Sequence, residues 1–125
     1  MAFVGTEIET DARRILNDTD AANERYVDAD ILAFIIEMIR LIWNKRGDSR
    51  YASTGAFLAY AEPATLAGTI IFDDTTHRWR SAILDGVLAR CLEMEGKDTD
   101  DLNRAKHYAG QFTALTGIPL TVRGG

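Results

Sequence analysis

A chain of 125 residues with one cysteine, two prolines and a formal net charge of −5 has the length of one domain, enough to bury roughly two thirds of its unfolded surface in a single core. Its 46% apolar and 26% charged residues are those of an ordinary globular protein, not a disordered or fibrous one. The acidic balance argues against a protein built to grip phosphate backbones, which needs clustered Lys and Arg, and the single Cys91 excludes an intrachain disulfide or a Cys-based zinc site and suits a reducing compartment.

The opening Met-Ala-Phe-Val-Gly-Thr-Glu has neither the basic nor the apolar region of a secretory leader. A first helix is predicted from about Glu7 to Asn17, with Thr6 and Glu9 at capping-box spacing. Ile8, Ala12, Ile15 and Leu16 share its inner face, and the polar run Asn17-Asp18-Thr19-Asp20 ends it.

The second helix is expected from an Asp28 N-cap to about Arg46, just before Gly47. Positions 31, 35, 38 and 42 form one apolar stripe, 32, 36, 39 and 43 another, and Phe34 and Leu41 lie between them. A helix apolar on nearly all sides is central in its core or shared with a neighbouring subunit. Four helices leave little chain to cover it, so the sequence predicts self-association through Phe34, Leu41 and Trp43. The run is too short and too charged to span a bilayer, which needs about 20 apolar residues. Lys45, Arg46 and Arg50 suit the negative end of a helix dipole, the alternative being a salt bridge to an acidic neighbour.

Between Tyr51 and Phe72 the only charge is Glu62, and the stretch is rich in Ala, Gly and Thr. It is too apolar for disorder and too long for a plain connection. A short hairpin or an ordered loop is predicted, with a strand near Thr69–Phe72 and Pro63 breaking any helix around Tyr60. Its apolar outposts Phe57, Leu58, Tyr60, Leu66 and Ile70 are candidate interface residues.

A third helix is expected from about Thr76 to Glu95, with Trp79, Ile83, Val87 and Cys91 in one row and Leu84, Leu88 and Leu92 in the next. A fourth runs from an Asp98/Thr99 cap to about Thr116, stopped by Gly117 and Pro119. The last eight residues, with Leu120, Thr121 and Val122 at their centre, favour an extended form. The fold class is therefore mainly α: a bundle of about four helices over residues 1–117, a long ordered loop or short hairpin between helices two and three, and an extended C-terminal tail over 118–125 that looks made to lie on something.

Catalytic chemistry finds little support. His77 and His107 stand in no metal-binding spacing, Cys91 reads as a small core residue, and most carboxylates fall at helix ends. P-loop, dinucleotide and nucleophile-elbow motifs are absent. No catalytic, cofactor or metal residue is assigned, and an enzyme is not expected.

The stretch Ile15-Leu16-Asn17-Asp18-Thr19-Asp20, followed by Arg25-Tyr26, Asp28 and Ile31-Leu32, resembles the opening of the head-to-tail adaptor (connector, or neck) proteins of tailed bacteriophages, particularly short-tailed ones. Two later blocks continue the likeness: Pro63-x-x-Leu66-Ala67-Gly68-Thr69 ahead of Asp85-x-Val87-Leu88-x-Arg90, and Ala105-x-x-Tyr108-x-x-x-Phe112 closing with Leu115-Thr116-Gly117. The likeness runs from about residue 7 to 117. It departs where a Leu-Pro step would follow the Ala-Gly turn and Ile70-Ile71-Phe72-Asp73 stands instead.

The resemblance implies a virion protein made in the host cytoplasm and built into the neck. Copies would form a ring, commonly twelve-fold, joining the portal to a tail or nozzle protein. DNA would pass through its channel without sequence-specific binding, and no membrane would be involved. The tail residues Ile118, Pro119, Leu120, Thr121, Val122 and Arg123 would dock on the portal, as an added strand. Multiplied around a ring, the acidic charge would line a conduit that lets DNA slide past. Two other readings compete: a small helical regulatory or scaffold module that binds a partner helix, and a cell-wall hydrolase using Asp85 or Glu93.

Overall fold

The chain's first helix is fixed by what precedes it rather than by a side-chain cap. In the computed structural model, which describes residues 3–20, 24–73, 78–95 and 99–122, strand β1 (Phe3–Val4) pairs antiparallel with β2 (Thr69–Ile70), Phe3 opposite Ile70. Helix α1 (Gly5–Ile15) follows without a break. It therefore starts two residues earlier than the Thr6/Glu9 spacing predicts. The Val4 N–H donates to Glu7 Oε2 at 3.0 Å, Thr6 Oγ1 donates to the Leu66 carbonyl at 3.1 Å, and Glu9 pairs with Arg13 at 2.9 Å. A Cβ on Gly5 would stand 2.7 Å from the Leu66 carbonyl oxygen, so glycine is needed where α1 crosses the insert.

Helix α1 ends in a Schellman motif. Asn17 takes the left-handed conformation (φ 57°), its N–H bonds Arg14 O at 3.2 Å, and the Asp18 N–H bonds Arg13 O at 2.7 Å. Helix α2 (Asp28–Lys45) has Val27 at its N-cap and Asp28 as its first residue. It buries Ile31, Ile35, Met38, Ile39 and Ile42 against α1 and against α3 (Arg78–Glu95). Helix α3 in turn packs along α4 (Thr99–Thr116), closing a core of Ile83, Val87, Leu88, Cys91, Ala105, Ala109 and Phe112. The predicted helix start at Thr76 lies outside the described residues, as does the Asp98 cap.

After α2 a 3₁₀ turn (Gly47–Arg50) leads to a hairpin in which Tyr51 bridges Phe57 around Gly55 (φ 90°). The chain then runs back along α2 as an ordered loop to β2. The insert is thus both hairpin and ordered loop, and its strand pairs with the chain's own N-terminus. This corrects one inference from the sequence: the flank of α2 bearing Trp43 is covered by Phe57 and Tyr60 of the same chain, while Phe34 and Leu41 lie half-buried against the core.

Gly117 (φ 74°) ends α4 and donates its N–H to Thr113 O at 2.7 Å. The segment 118–122 is irregular and lies on its own bundle. Ile118 and Val122 are buried, Thr113 Oγ1 donates to Ile118 O at 2.9 Å, and Arg90 Nη1 donates to Thr121 O at 2.8 Å.

Helices α2 and α3 meet closely at Gly86, where an added Cβ would come within 2.1 Å of the buried Met38 Sδ. Overpacking of this kind costs about 1–3 kcal/mol, outweighing the ~1 kcal/mol that alanine gains over glycine inside a helix. Gly86→Ala is expected to lower stability in urea unfolding. Combined with Met38→Ala it should cost less than the two changes added together; strict additivity would contradict the contact.

Candidate interaction surface

Most large apolar side chains are buried; of the exposed ones Ile15, Val27 and Met94 stand singly, while Tyr51, Phe57 and Tyr60 gather at the C-terminal end of α2. Trp43 meets Tyr60 edge-on with ring centroids 5.1 Å apart and Phe57 at 6.0 Å, and Phe57 meets Tyr51 at 5.6 Å. Tyr51, Phe57 and Tyr60 nonetheless remain 52%, 62% and 41% exposed. Such T-shaped pairs fix the rings relative to one another. The result is an ordered aromatic surface that projects from a rigid helix end.

Charged side chains brace it. Arg50 Nε donates to the Trp43 carbonyl at 2.8 Å with its guanidinium 5.6 Å from the Trp43 ring centre. Arg40 grips Glu62 with two bonds of 2.6 and 3.0 Å, and the Tyr60 hydroxyl donates to Glu62 at 2.5 Å. Arg40, and then Tyr60, hold the Glu62 carboxyl down at about 2. The Tyr60 phenol is pushed up, first by burial and then by its bond to Glu62. Arg46, Arg50 and Arg40 are thus committed to groups within the chain, leaving Lys45 exposed at the rim. That pattern suits apolar contact better than capture of phosphates, which requires cations free to pair.

Of the residues picked from the sequence, Trp43, Phe57 and Tyr60 come together here, with Leu58 half-buried beside them in sequence. Phe34 and Leu41 pack against the core from α2. Leu66 sits at the far end of the insert, over the start of α1. Ile70, at 1% exposure, belongs to the core and offers no surface; its position opposite Phe3 explains the burial. In the tail, Ile118 and Val122 are buried, Leu120 is half-buried, and Pro119 and Thr121 are exposed. Arg123 lies outside the described residues. Tyr51 was not singled out, although Tyr51 and Phe57 bracket a Ser-Thr-Gly turn, which is a hairpin signal.

Some of the residues that carried the resemblance, among them Asp18, Asp28 and Arg90, take part in arginine-centred nodes. Arg13, only 8% exposed, meets Glu9, Asp18 and Asp28 at 2.8–2.9 Å and Glu24 at 3.5 Å. Burial opposes its charge, but Glu9, Glu24 and Asp28 outweigh that cost and raise its pKa. Asp18 also accepts the backbone N–H groups of Arg25 at 2.8 Å and Tyr26 at 3.3 Å, which clamps the α1–α2 connection. Arg90 joins Glu37 of α2 to the tail carbonyl of Thr121, and Glu37 holds its pKa up. Arg46 and Arg78 cap the last carbonyls of α4, at Thr116 and Leu115, while Asp48 bridges the two guanidiniums. The basic cluster therefore serves helix ends, though Arg46 serves α4 and not its own helix.

No helix of the described residues is long and apolar enough to cross a membrane, and among them no three His, Cys, Asp or Glu converge to hold a metal ion. Cys91 is fully buried in α3, and His107 is exposed on α4 beside Gln111; His77 lies outside the described residues. Asp85 and Glu93 are two turns apart on α3, about 12 Å along the axis, and Glu93 faces Arg90 at 3.6 Å. Comparison of the chain with protein-family models, curated proteins and solved structures finds no match.

Burial raises the Asp85 carboxyl to about 6, against a smaller opposing pull from His107. The folded protein therefore holds a proton that the unfolded chain releases, and its stability falls as pH rises from about 4 through about 6. Asp85→Asn should be more stable than the parent at neutral pH, by about 1–2 kcal/mol after allowing for partial exposure. That gain should shrink toward zero near pH 4 in urea unfolding; a pH-independent difference would contradict the assignment.

Proposed function

We propose that this chain is a structural, non-enzymatic virion component: a head-to-tail adaptor whose copies form a ring between the portal and a tail or nozzle protein, around the path of the DNA. The observation that carries the reading is the ordered aromatic surface at the end of α2. A contiguous exposed apolar patch of this kind, with a Trp at its base, is characteristic of a protein contact surface. It is built from the insert, which is where the family resemblance calls for contacts with neighbours. Asp18, Asp28 and Arg90 of the motifs take part in the nodes that hold the helices in register, which is what a rigid ring subunit needs.

The tail enters this reading as a segment that exchanges its own bundle for the portal. Its backbone is the part suited to strand addition, because Thr121 presents its carbonyl outward to a single guanidinium. The net charge of −5 gives each copy an acidic surface, consistent with a conduit that DNA passes without adhering.

The test is co-expression with the portal protein encoded in the same genome, followed by affinity capture and electron microscopy. Rings seated on the portal are expected, whereas a stable dimer with no portal affinity would favour the regulatory module. Removing residues 119–125 keeps Ile118 in the core. It should leave the far-ultraviolet helical signal unchanged and abolish portal capture; capture at undiminished affinity would remove the tail's role.

A further inference from the structure

We infer that, in the free protein, the aromatic surface is covered by a second copy of this chain, with Phe57 of each copy seated in a groove of the other. This goes beyond the adaptor reading and does not rest on it. The groove lies at the opposite end of α2, between α1, the first turns of α2 and residues 64–67. Ala29, Leu32, Ala64 and Leu66 supply its apolar lining, and Glu9 and Asp28 its charged side chains. Phe57 is the most exposed large apolar side chain of the described residues, at 62%, and its contacts with Trp43 and Tyr51 hold it as a fixed knob.

Charge favours the pairing. The groove end gathers four carboxylates around Arg13, with Arg25 as the other nearby cation. The knob end sets Arg40, Lys45, Arg46 and Arg50 against Asp48, Glu62 and Asp73, so its net charge is positive, with Lys45 as the exposed cation at its rim. An acidic groove thus awaits a knob with a basic rim, which steers the two together and disfavours knob against knob.

Geometry sets the symmetry. At 100° and 1.5 Å per residue, Ala29 and Leu32 lie within about 40° of Trp43 around α2 and about 17–21 Å from it along the axis. Knob and groove therefore share one flank at opposite ends. Two copies laid flank to flank with antiparallel α2 helices satisfy both contacts at once about a two-fold axis, which closes the assembly as a dimer.

Phe57→Asp and Ala29→Arg test this: both positions are exposed, and although Phe57→Asp gives up ring contacts with Trp43 and Tyr51, Tyr60 still covers Trp43 and the buried core is untouched. Wild type should sediment as a dimer at high micromolar concentration. Each variant should weaken the dimer by about thirtyfold or more, as expected for a central aromatic anchor. Mixing the two variants should recover a heterodimer, since one supplies an intact groove and the other an intact Phe57. Circular dichroism of each variant confirms that it is folded, and Lys45→Glu should weaken the wild-type dimer as salt does. A monomeric wild type, an undiminished dimer in Phe57→Asp, or no recovery on mixing would each overturn the inference.

Discussion

An 18-residue helix carrying ten large apolar side chains must be covered on nearly every side, and α2 is that helix. Exposed, each such side chain forfeits roughly 1.5–3 kcal/mol of burial, so the chain's layout follows from finding cover. Helices α1 and α3 take the stripe from Ile31 to Ile42. The glycine at 86 lets α3 come close enough for Met38 to lie against it. The insert, otherwise a long uncharged excursion, takes the flank that bears Trp43. What is left uncovered is not α2 itself but the outer faces of the rings that cover it.

Arginine does the joining that the apolar core cannot. Arg13 gathers the α1–α2 connection, Arg90 ties α2 to the tail, Arg40 holds the insert to α2, and Arg46 with Arg78 closes the end of α4. The planar five-donor guanidinium allows one side chain to serve several acceptors at once. A Lys in the place of Arg13 or Arg90 would reach only part of its set. The same commitments leave few cations free at the aromatic surface. That pattern suits apolar contact better than capture of phosphates, in keeping with the chain's acidic balance.

The helices were legible because their apolar periods and their Gly and Asn stops are local signals. Gly117 ended α4 where the sequence placed it. The start of α1 was misread because Thr6 and Glu9 have the spacing of a capping box, while the decisive event is Phe3 pairing with Ile70 across more than sixty residues. The same long-range pairing hid the burial of Ile70, which in sequence is one of several apolar outposts. The aromatic surface was half legible. Trp43, Phe57 and Tyr60 stood out as apolar residues in excess of a small core, but whether the insert or a neighbour covers Trp43 depends on a loop path that no periodicity encodes. The tail's apolar centre correctly signalled that it lies on something. That the surface is its own α3 and α4 follows from Arg90 and Thr113, residues thirty-one and five positions away from their tail carbonyls.

The insert is a structured cover for α2, and we propose that its outer aromatic face is a contact surface in the assembled particle. Amide hydrogen exchange on the free protein and on its complex with the portal, resolved by peptide, tests that claim most directly. The account predicts measurable protection of residues 51–60 already in the free protein, with a further slowing on assembly that is larger there than over α4. Full exchange of 51–60 in the free protein, or no change on assembly, would contradict it.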